Sequence, residues 1–360
     1  ALPISPMFQR LRGDALVLSF GHLYGVFEPD ELGVDTVDVE ALRDVCSAAS
    51  SENMADAYLW GGTALAKRDL QEEALAWFEA AEKSLPESLG HVLANNWGVA
   101  LNGAAGLERE AGNVERAREL RGEALGRHGR AHEIKPDSYQ AAYNWGNALN
   151  GAAGLEREAG NVERARELWE EAFGKYALAL EIKPDKHEAA NNWAVALAAR
   201  ASACEKGERE ALLQGAIEKA TRAVRLARRV GDNERVEFYA AHCLHRATQL
   251  IALALENGHG DVARAAWATV LEHLPEADGE MAARHLVELF GGVARPEYLE
   301  FCGYALRVLL EDGFEEESAF LSPFAVVMSY WEKDGDPEVL EGLEPEMREL
   351  VEKIIERGEG

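Results

Sequence analysis

Histidines and cysteines are the residues of this 360-residue chain whose types could support metal or nucleophilic chemistry. His242 and His245 flank Cys243 at helical spacing, and His128 lies one helical turn before His132. Imidazoles one turn apart can share a metal, but packing inside a helical pair is the favoured interpretation for both groups. The sequence shows neither a glycine-rich phosphate loop after a strand nor a nucleophile elbow. We therefore predict no metal, no cofactor and no enzymatic activity, with an enzyme hidden in a terminal region as the least favoured hypothesis.

A second group of candidate functional residues consists of asparagines that repeat along the chain. Asparagine is a mediocre helix former, so its repetition within helical sequence needs a reason. Two interpretations stay open: the amides line a binding groove, or they form a ladder of hydrogen bonds between neighbouring helical hairpins. The first interpretation predicts a partner-binding site at Asn95, Asn96, Tyr143, Asn144, Asn147, Asn191 and Asn192, with Asn102 and Asn150 further along the same face.

An internal repeat spaces these asparagines along the chain. The nineteen residues from Asn102 to Leu120, NGAAGLEREAGNVERAREL, recur unchanged from Asn150 to Leu168, at an offset of 48. The similarity extends outward on both sides, so that three units begin near His91, Tyr139 and His187. Self-similarity at a fixed period is the signature of repeat architectures, in which each unit is one supersecondary element.

Each unit has the pattern of two helices. In the middle unit, apolar residues recur at spacings of three and four over 142–159 and again over 162–179. Gly160-Asn161 indicates a left-handed helix stop between them, and Pro184 ends the second helix. Asn-Gly at 102–103 and 150–151 normally indicates a turn, but the matching Ala198-Ala199 lies in strong helix-former sequence. We therefore predict continuous helix at all three places.

Small and aromatic residues at fixed positions resemble the signature of the tetratricopeptide repeat (TPR) family. The middle unit offers Trp145, Gly146, Ala172, Tyr176, Ala179 and Pro184; the preceding unit offers Trp97, Gly98, Ala124, His128, Ala131 and Pro136; and Gly62, Ala74, Phe78, Ala81 and Pro86 resemble one ordinary short repeat. The resemblance implies stacked antiparallel helical hairpins whose first helices contact bound peptides. Some members clamp a C-terminal carboxylate with basic residues, but no basic residue stands at the corresponding positions here.

The units depart from the family in length, since a family repeat has about 34 residues. The additional residues fall between the signature glycine and the signature alanine, so we expect about two extra turns in each helix of three long pairs. A short pair near 55–86 precedes them. Trp97, Trp145 and Trp193 share the apolar stripe, and we expect them to pack inside the array. Further along, we predict a helix over 234–255 and another, capped by Asp261, that ends at Leu271.

The fold class predicted for the whole chain is all-α, a solenoid or superhelix of antiparallel TPR-like hairpins. Its organisation has three parts: a partly helical N-terminal segment, residues 1–50; the repeats, residues 51–275; and a divergent, acidic helical cap, residues 276–360. Terminal repeats must present a polar outer face, which suits a divergent acidic end.

Charge and cysteine usage restrict the partners and the compartment. The net charge of −27 disfavours nucleic acid and anionic membrane surfaces. From Glu311 to Gly360, sixteen acidic residues stand against four basic ones, which favours either a basic partner or simple solubility. No apolar run approaches the length of a membrane span. Four scattered cysteines, Cys46, Cys204, Cys243 and Cys302, are typical of reduced thiols and predict a cytoplasmic protein.

The functional hypothesis is a scaffold or adaptor that binds a protein or peptide segment, including basic segments, in the groove of the first helices. The alternative is a ligand-sensing regulatory module whose C-terminal helices repack on binding. Self-association is left open by the sequence. Because fold does not imply function, the identity of the partner lies beyond these patterns.

Overall fold

The computed structural model describes residues 54–66, 70–83, 85–204, 206–272, 296–311 and 336–343, with scattered residues between 326 and 355. The predicted N-terminal segment, Cys46 and most of the predicted C-terminal cap lie outside the described residues. The chain groups into two compact units, Ala1–Pro184 and Asp185–Gly360, and each is described by itself. The three-part organisation expected from the sequence remains a prediction.

Eleven α-helices and no strand lie within the described residues, as the all-α prediction requires. The first unit holds α1 (Met54–Ala66), α2 (Gln71–Glu82), α3 (Gly90–Glu110), α4 (Val114–Ile134), α5 (Tyr139–Glu158) and α6 (Val162–Ile182). The second unit holds α7 (His187–Ala203), α8 (Lys206–Val230), α9 (Asn233–Glu256), α10 (Gly260–Leu271) and α11 (Pro296–Glu311). Each of these helices is too short or too polar to cross a membrane.

Successive helices pair as antiparallel hairpins, in the TPR-like manner that the resemblance implies. In the first unit, α1 packs on α2, α3 on α4 and α5 on α6. Each first helix also contacts the first helix of the next hairpin, and each second helix contacts the following first helix. Buried alanines, among them Ala94, Ala131 and Ala141, form a small cluster of their own. Short side chains at such positions let helices approach closely.

The long hairpins are continuous helices where Asn-Gly suggested turns. Helix α3 has 21 residues and α5 has 20, against 13 for α1, a difference of about two turns. The prediction of unbroken helix through 102–103 and 150–151 is confirmed. In the second unit, α7 has 17 residues and α8 has 25, so the third long pair divides its length unevenly.

Two glycines make the tight turns inside the long hairpins. Gly112 and Gly160 have φ of 83° and 82°, the left-handed conformation that a side chain disfavours. The amide of Asn161 then donates to the carbonyl of Glu156 at 2.8 Å, so the last turn of α5 is closed by a backbone hydrogen bond. This confirms the helix stop predicted from Gly160-Asn161.

A glycine of each first helix lies against a ring of its partner helix. A methyl group added at Gly146 would lie 2.8 Å from the Tyr176 ring, and one at Gly98 would lie 2.7 Å from the His128 ring. The short hairpin repeats the arrangement with Gly62 and Phe78. The signature glycines therefore set the distance between the two helices of every hairpin in the first unit.

The expectation that three tryptophans pack inside the array holds fully only for Trp97, which is 9% exposed. Trp145 and Trp193 are half-buried, and a cation from the second helix lies on each ring, as Arg127 does on the ring of Trp97. Lys175 Nζ lies 3.6 Å from the Trp145 ring centroid, and Lys219 Nζ lies 4.6 Å from that of Trp193. Such cation–π contacts contribute about 0.5–1 kcal/mol at partly exposed sites.

The second unit contains the helix predicted over 234–255, as α9. Asp232 caps it, since its Oδ1 accepts from the Arg235 amide at 3.1 Å. The predicted cap at Asp261 is wrong: α10 begins one residue earlier, at Gly260, with no side-chain cap. Asp261 instead pairs with Arg264 one turn later, at 2.8 Å.

The close approach at Gly146 predicts opposite effects for two glycine substitutions in α5. Gly146→Ala should lower the free energy of unfolding by about 1–3 kcal/mol, because the new methyl group displaces the Tyr176 ring. Gly154→Ala is the matched control: no atom lies within 4 Å, and alanine should stabilise the helix by about 0.5–1 kcal/mol. Urea unfolding of both variants measures the difference, and equal effects would contradict the packing described here.

Candidate functional site

Amides of the first helices form a chain of hydrogen bonds that crosses three hairpins. Asn144 Nδ2 on α5 donates to Asn95 Oδ1 on α3 at 3.0 Å. Asn95 Nδ2 donates to Asn96 Oδ1 at 3.1 Å, and Asn96 Nδ2 donates to Thr63 Oγ1 on α1 at 2.9 Å. Thr63 in turn donates to the Leu59 carbonyl at 2.8 Å. We call Thr63, Asn95, Asn96 and Asn144 the amide ladder.

For Asn95, Asn96 and Asn144, the amide ladder fits the interpretation that the repeated asparagines form hydrogen bonds between neighbouring hairpins. Each bond between half-buried groups contributes about 0.5–1.5 kcal/mol net, so the ladder helps fix the hairpins in register. It also leaves capacity for a ligand. An amide nitrogen carries two hydrogens, and each nitrogen in the ladder uses one. The three asparagines are half-buried, so one edge of the ladder faces solvent.

Tyr143 and Asn147 lie beside the ladder on α5 and contact a buried tyrosine. Asn147 Oδ1 accepts from the Tyr176 hydroxyl at 2.8 Å. Burial raises the pKa of Tyr176 well above its usual value, so this hydroxyl remains a donor at neutral pH. Tyr143 stacks on Tyr139, with ring centroids 5.7 Å apart and planes 8° apart. Tyr143 and Asn147 are half-buried, and they form an aromatic and polar strip next to the ladder.

The last two predicted site residues, Asn191 and Asn192, belong to α7 in the second unit. Asn191 is buried, and its Nδ2 donates to Asn192 Oδ1 at 3.3 Å. The buried Oδ1 of Asn191 has no hydrogen-bond partner. The structure thus brings five of the seven predicted residues together on α3 and α5 and places the other two in the other unit.

Thr63 is the ladder residue that the sequence reasoning missed. Its hydroxyl ends the ladder on the short hairpin, at the position that Val99 and Asn147 take in the long hairpins. The available signal was its place directly after the signature glycine Gly62, on the face that points to the next hairpin.

A polar cluster replaces the aromatic pair in the first long hairpin. His128 is fully buried and stands where Tyr176 stands one unit later. Arg121 Nη1 donates to Asn102 Oδ1 at 3.1 Å, which turns the Asn102 amide nitrogen toward His128 Nε2, also at 3.1 Å. With Asn102 in this orientation, Nε2 of the neutral His128 accepts and the ring proton is assigned to Nδ1, which is buried without a hydrogen-bond partner. Burial lowers its pKa to about 4.

The histidine pairs considered as metal ligands do not converge in the structure. His128 bonds to Asn102, whereas the His132 ring packs on Trp145 with centroids 5.6 Å apart. Within the described residues, no group of three or more histidine, cysteine or carboxylate side chains could hold a metal ion. Cys204, Cys243 and Cys302 are free thiols, and burial raises the pKa of Cys243 to about 12. Such a thiol remains protonated and is a poor nucleophile at neutral pH.

Comparisons with known proteins give similarities of fold only. No protein-family model matches the chain, and no curated protein sequence matches it. YrrB, a TPR protein with an unusual peptide-binding site, is 17% identical, with 62% of this chain and 88% of that one covered and a TM-score of 0.37. The C-terminal part of a TPR protein from Cytophaga hutchinsonii is 14% identical, with 76% of this chain and 86% of that one covered and a TM-score of 0.42. A tetratricopeptide repeat protein from Parabacteroides merdae is 14% identical, with 78% of this chain and 98% of that one covered and a TM-score of 0.36. Similarities of this size do not establish what this chain binds.

The buried neutral His128 predicts a pH-dependent contribution to stability. Its pKa is about 4 in the folded chain and 6.5 when unperturbed, so only the unfolded chain takes up the proton between these values. The free energy of unfolding should therefore fall by about 3 kcal/mol as the pH drops through this window, apart from the carboxylate contribution. The double variant Val99→Asn/His128→Tyr, which copies the Asn147–Tyr176 pair, should lose this part of the pH dependence.

Urea unfolding of both chains at about pH 7 and about pH 4.5 isolates the effect, because the carboxylates are common to both. His245→Gln, at an exposed histidine, serves as the control and should follow the wild type. Equal losses of stability in the wild type and the double variant would contradict the assignment to His128.

Proposed function

We propose that the chain is a protein-interaction scaffold that binds an extended segment of a partner along the first helices. The observation that carries the proposal is the half-open amide ladder next to Tyr143. Unused amide hydrogens on one line of helices are suited to the carbonyl groups of an extended peptide, and they demand no particular side-chain sequence. The proposed contacts in the first unit are Asn95, Asn96, Tyr143, Asn144 and Asn147. Asn191 and Asn192 are proposed as separate contacts of the second unit.

The ladder supports this role because it orients the amides before any partner arrives. A flexible asparagine loses rotamer freedom when it binds, whereas an amide already fixed by one bond loses little. Tyr143 adds a rigid aromatic surface with a polar end, the kind of residue that contributes most at interfaces. Val99 on α3, which is 42% exposed, supplies an apolar contact at the position that Asn147 takes on α5.

Binding along the amides should depend weakly on salt, since neutral hydrogen bonds carry it. A partner with a basic segment would gain a second contribution from the acidic segment Glu311 to Gly360, whose net charge is −12. That contribution acts through water and is screened within about 10 Å at ordinary ionic strength. The two contributions are separable by titrating salt.

The alternative, a small-molecule sensor, finds less support in the second unit. A cleft of about 270 Å³ lies where the α9–α10 turn meets α11, lined among others by Arg264, Glu300 and Phe301. Typical small-molecule sites have volumes of about 300–1,000 Å³ and are mostly apolar. Arg264 lies 3.7 Å from Glu300 and 2.8 Å from Asp261, so its charge already has carboxylate partners.

The proposal predicts which substitutions weaken binding. Peptides selected from a random display library against the full chain provide the ligands, and fluorescence polarisation measures their dissociation constants. Tyr143→Ala and Asn144→Ala should each weaken binding about tenfold, or 1.4 kcal/mol. Glu167→Ala, at an exposed position on the second helix α6, is the control and should bind as the wild type does.

Unfolding measurements on the same variants separate the two roles of the asparagines. Asn144→Ala should lower stability by only about 1 kcal/mol, because it removes one ladder bond. If it bound selected peptides normally and melted much lower, the ladder would be structural only. Selected peptides that bind both site variants as tightly as the wild type would overturn the proposed site.

A further inference from the structure

The first long hairpin extends beyond the short hairpin on which it packs. Helix α2 begins at Gln71, and the Gln71 side chain covers Gly103 on α3. A methyl group added at Gly103 would lie 2.7 Å from Gln71 Nε2. No part of α2 precedes that position, so the last two turns of α3 continue past it. Leu107, one turn further, is consequently 47% exposed. We call Leu107, Glu108 and Glu110 the upstream overhang.

In the second long hairpin, the residues 48 positions later are covered. Leu155 is identical in sequence context to Leu107 but is only 2% exposed. The carboxylate of Glu156 receives three hydrogen bonds from Arg118 on α4, at 2.8–2.9 Å. Glu158 receives two from Arg109 on α3, at 2.6 and 3.1 Å. The two long hairpins therefore stack through a pair of bidentate arginine–glutamate contacts beside a buried leucine.

Both halves of this interface recur in the first unit, where the described residues form no second set of these pairs between hairpins. Glu108 and Glu110 are the copies of Glu156 and Glu158; among the described residues, Glu108 accepts only from its own turn residue, Asn113, and Glu110 has no ion pair. The copies of Arg109 and Arg118 are Arg157 and Arg166, which we call the downstream arginines. Arg166 is 54% exposed, against 29% for Arg118, and lies 3.9 Å from Glu163 of its own helix. Arg157 is exposed and has no carboxylate partner among those residues.

We propose that the upstream overhang binds the downstream arginines of a second copy of this chain, through arginine–glutamate pairs of the kind that join the two long hairpins, at the end of α3 that lies beyond α2. The internal interface shows what complements the overhang, because all nineteen residues of the motif are identical. A contact between different surfaces of two identical chains is heterologous, so it leaves a free half at each end and permits head-to-tail growth.

The charges of the interface set the conditions under which it forms. Bidentate arginine–carboxylate pairs are the strong type of ion pair, and here they flank an apolar contact that partly excludes water. The net charge of −27 opposes association at low ionic strength. At moderate salt the long-range repulsion is screened, whereas contact pairs beside a covered leucine are screened less. The association is therefore expected to be weak and strongest at intermediate salt.

Complementary charge reversal tests the proposal on the full chain. Glu108→Arg/Glu110→Arg and Arg157→Glu/Arg166→Glu leave the internal Arg109–Glu158 and Arg118–Glu156 contacts intact, so both variants should fold. Sedimentation velocity over a wide concentration range should show reversible association of the wild type. Each variant alone should associate at least about tenfold more weakly. The mixture should regain head-to-tail association with the two variants alternating, because the reversed overhang of one matches the reversed positions of the other, and the unchanged surfaces also match each other.

A matched control uses exposed positions outside the interface. Glu79→Arg/Glu133→Arg mixed with Arg130→Glu/Arg229→Glu carries the same charge changes at exposed positions and should behave as the wild type does, alone and mixed. A wild type that stays monomeric at every concentration would overturn the proposal, as would association that persists in both reversed variants or a charge-reversed mixture that does not associate. Capture of a different basic helical protein by the overhang, without self-association, would replace the second copy as the occupant.

Discussion

The close approach of a glycine to a ring is the constraint on which the other contacts of the first unit depend. At Gly62, Gly98 and Gly146, the absence of a side chain lets the second helix come close enough for its ring to lie on the backbone of the first. That spacing fixes which residues face the next hairpin. The amide ladder requires it, since donors and acceptors on α1, α3 and α5 meet within about 3 Å only when the first helices are held at a constant distance.

The longer hairpins keep the glycine–ring contacts, and they differ from the short hairpin only in the extra turns at the ends of their helices. The extra turns of α3 and α4 carry the arginine–glutamate contacts, and the short first hairpin has no counterpart for them. A step therefore arises between hairpins of unequal length, with an apolar residue at its edge. Repeat proteins usually end in polar caps because an uncovered repeat face is adhesive. Here the uncovered face lies within the array, where the short hairpin meets the first long hairpin.

Periodicity and helix propensity predicted the all-α fold, the continuous helices through the Asn-Gly pairs and the turn at Gly160. These features depend on residues close together in the sequence. The ladder and the covering of Trp145 were beyond reach, because they depend on which atom of another helix stands opposite. Asn96 and Thr63 are 33 residues apart, and Asn144 and Asn95 are 49 apart. Sequence could place the asparagines on one face but could not decide between hydrogen bonds to a neighbour and contacts to a partner. The cap predicted at Asp261 was wrong for a different, local reason, since the helix begins one residue before it.

Two identical stretches in one chain create a problem of register during folding. Before the hairpins form, α3 could pair with α6 as readily as with α4, since 102–120 and 150–168 offer the same side chains. Such a pairing would loop out a whole unit, and the additional loop entropy is only modest. The residues just beyond the identical stretch separate the two outcomes. Tyr176 needs an acceptor, which Asn147 supplies and Val99 cannot, so a swapped pairing leaves a buried hydroxyl unsatisfied. The residues that differ between the two repeats thus favour the native pairing of each helix over the swapped one.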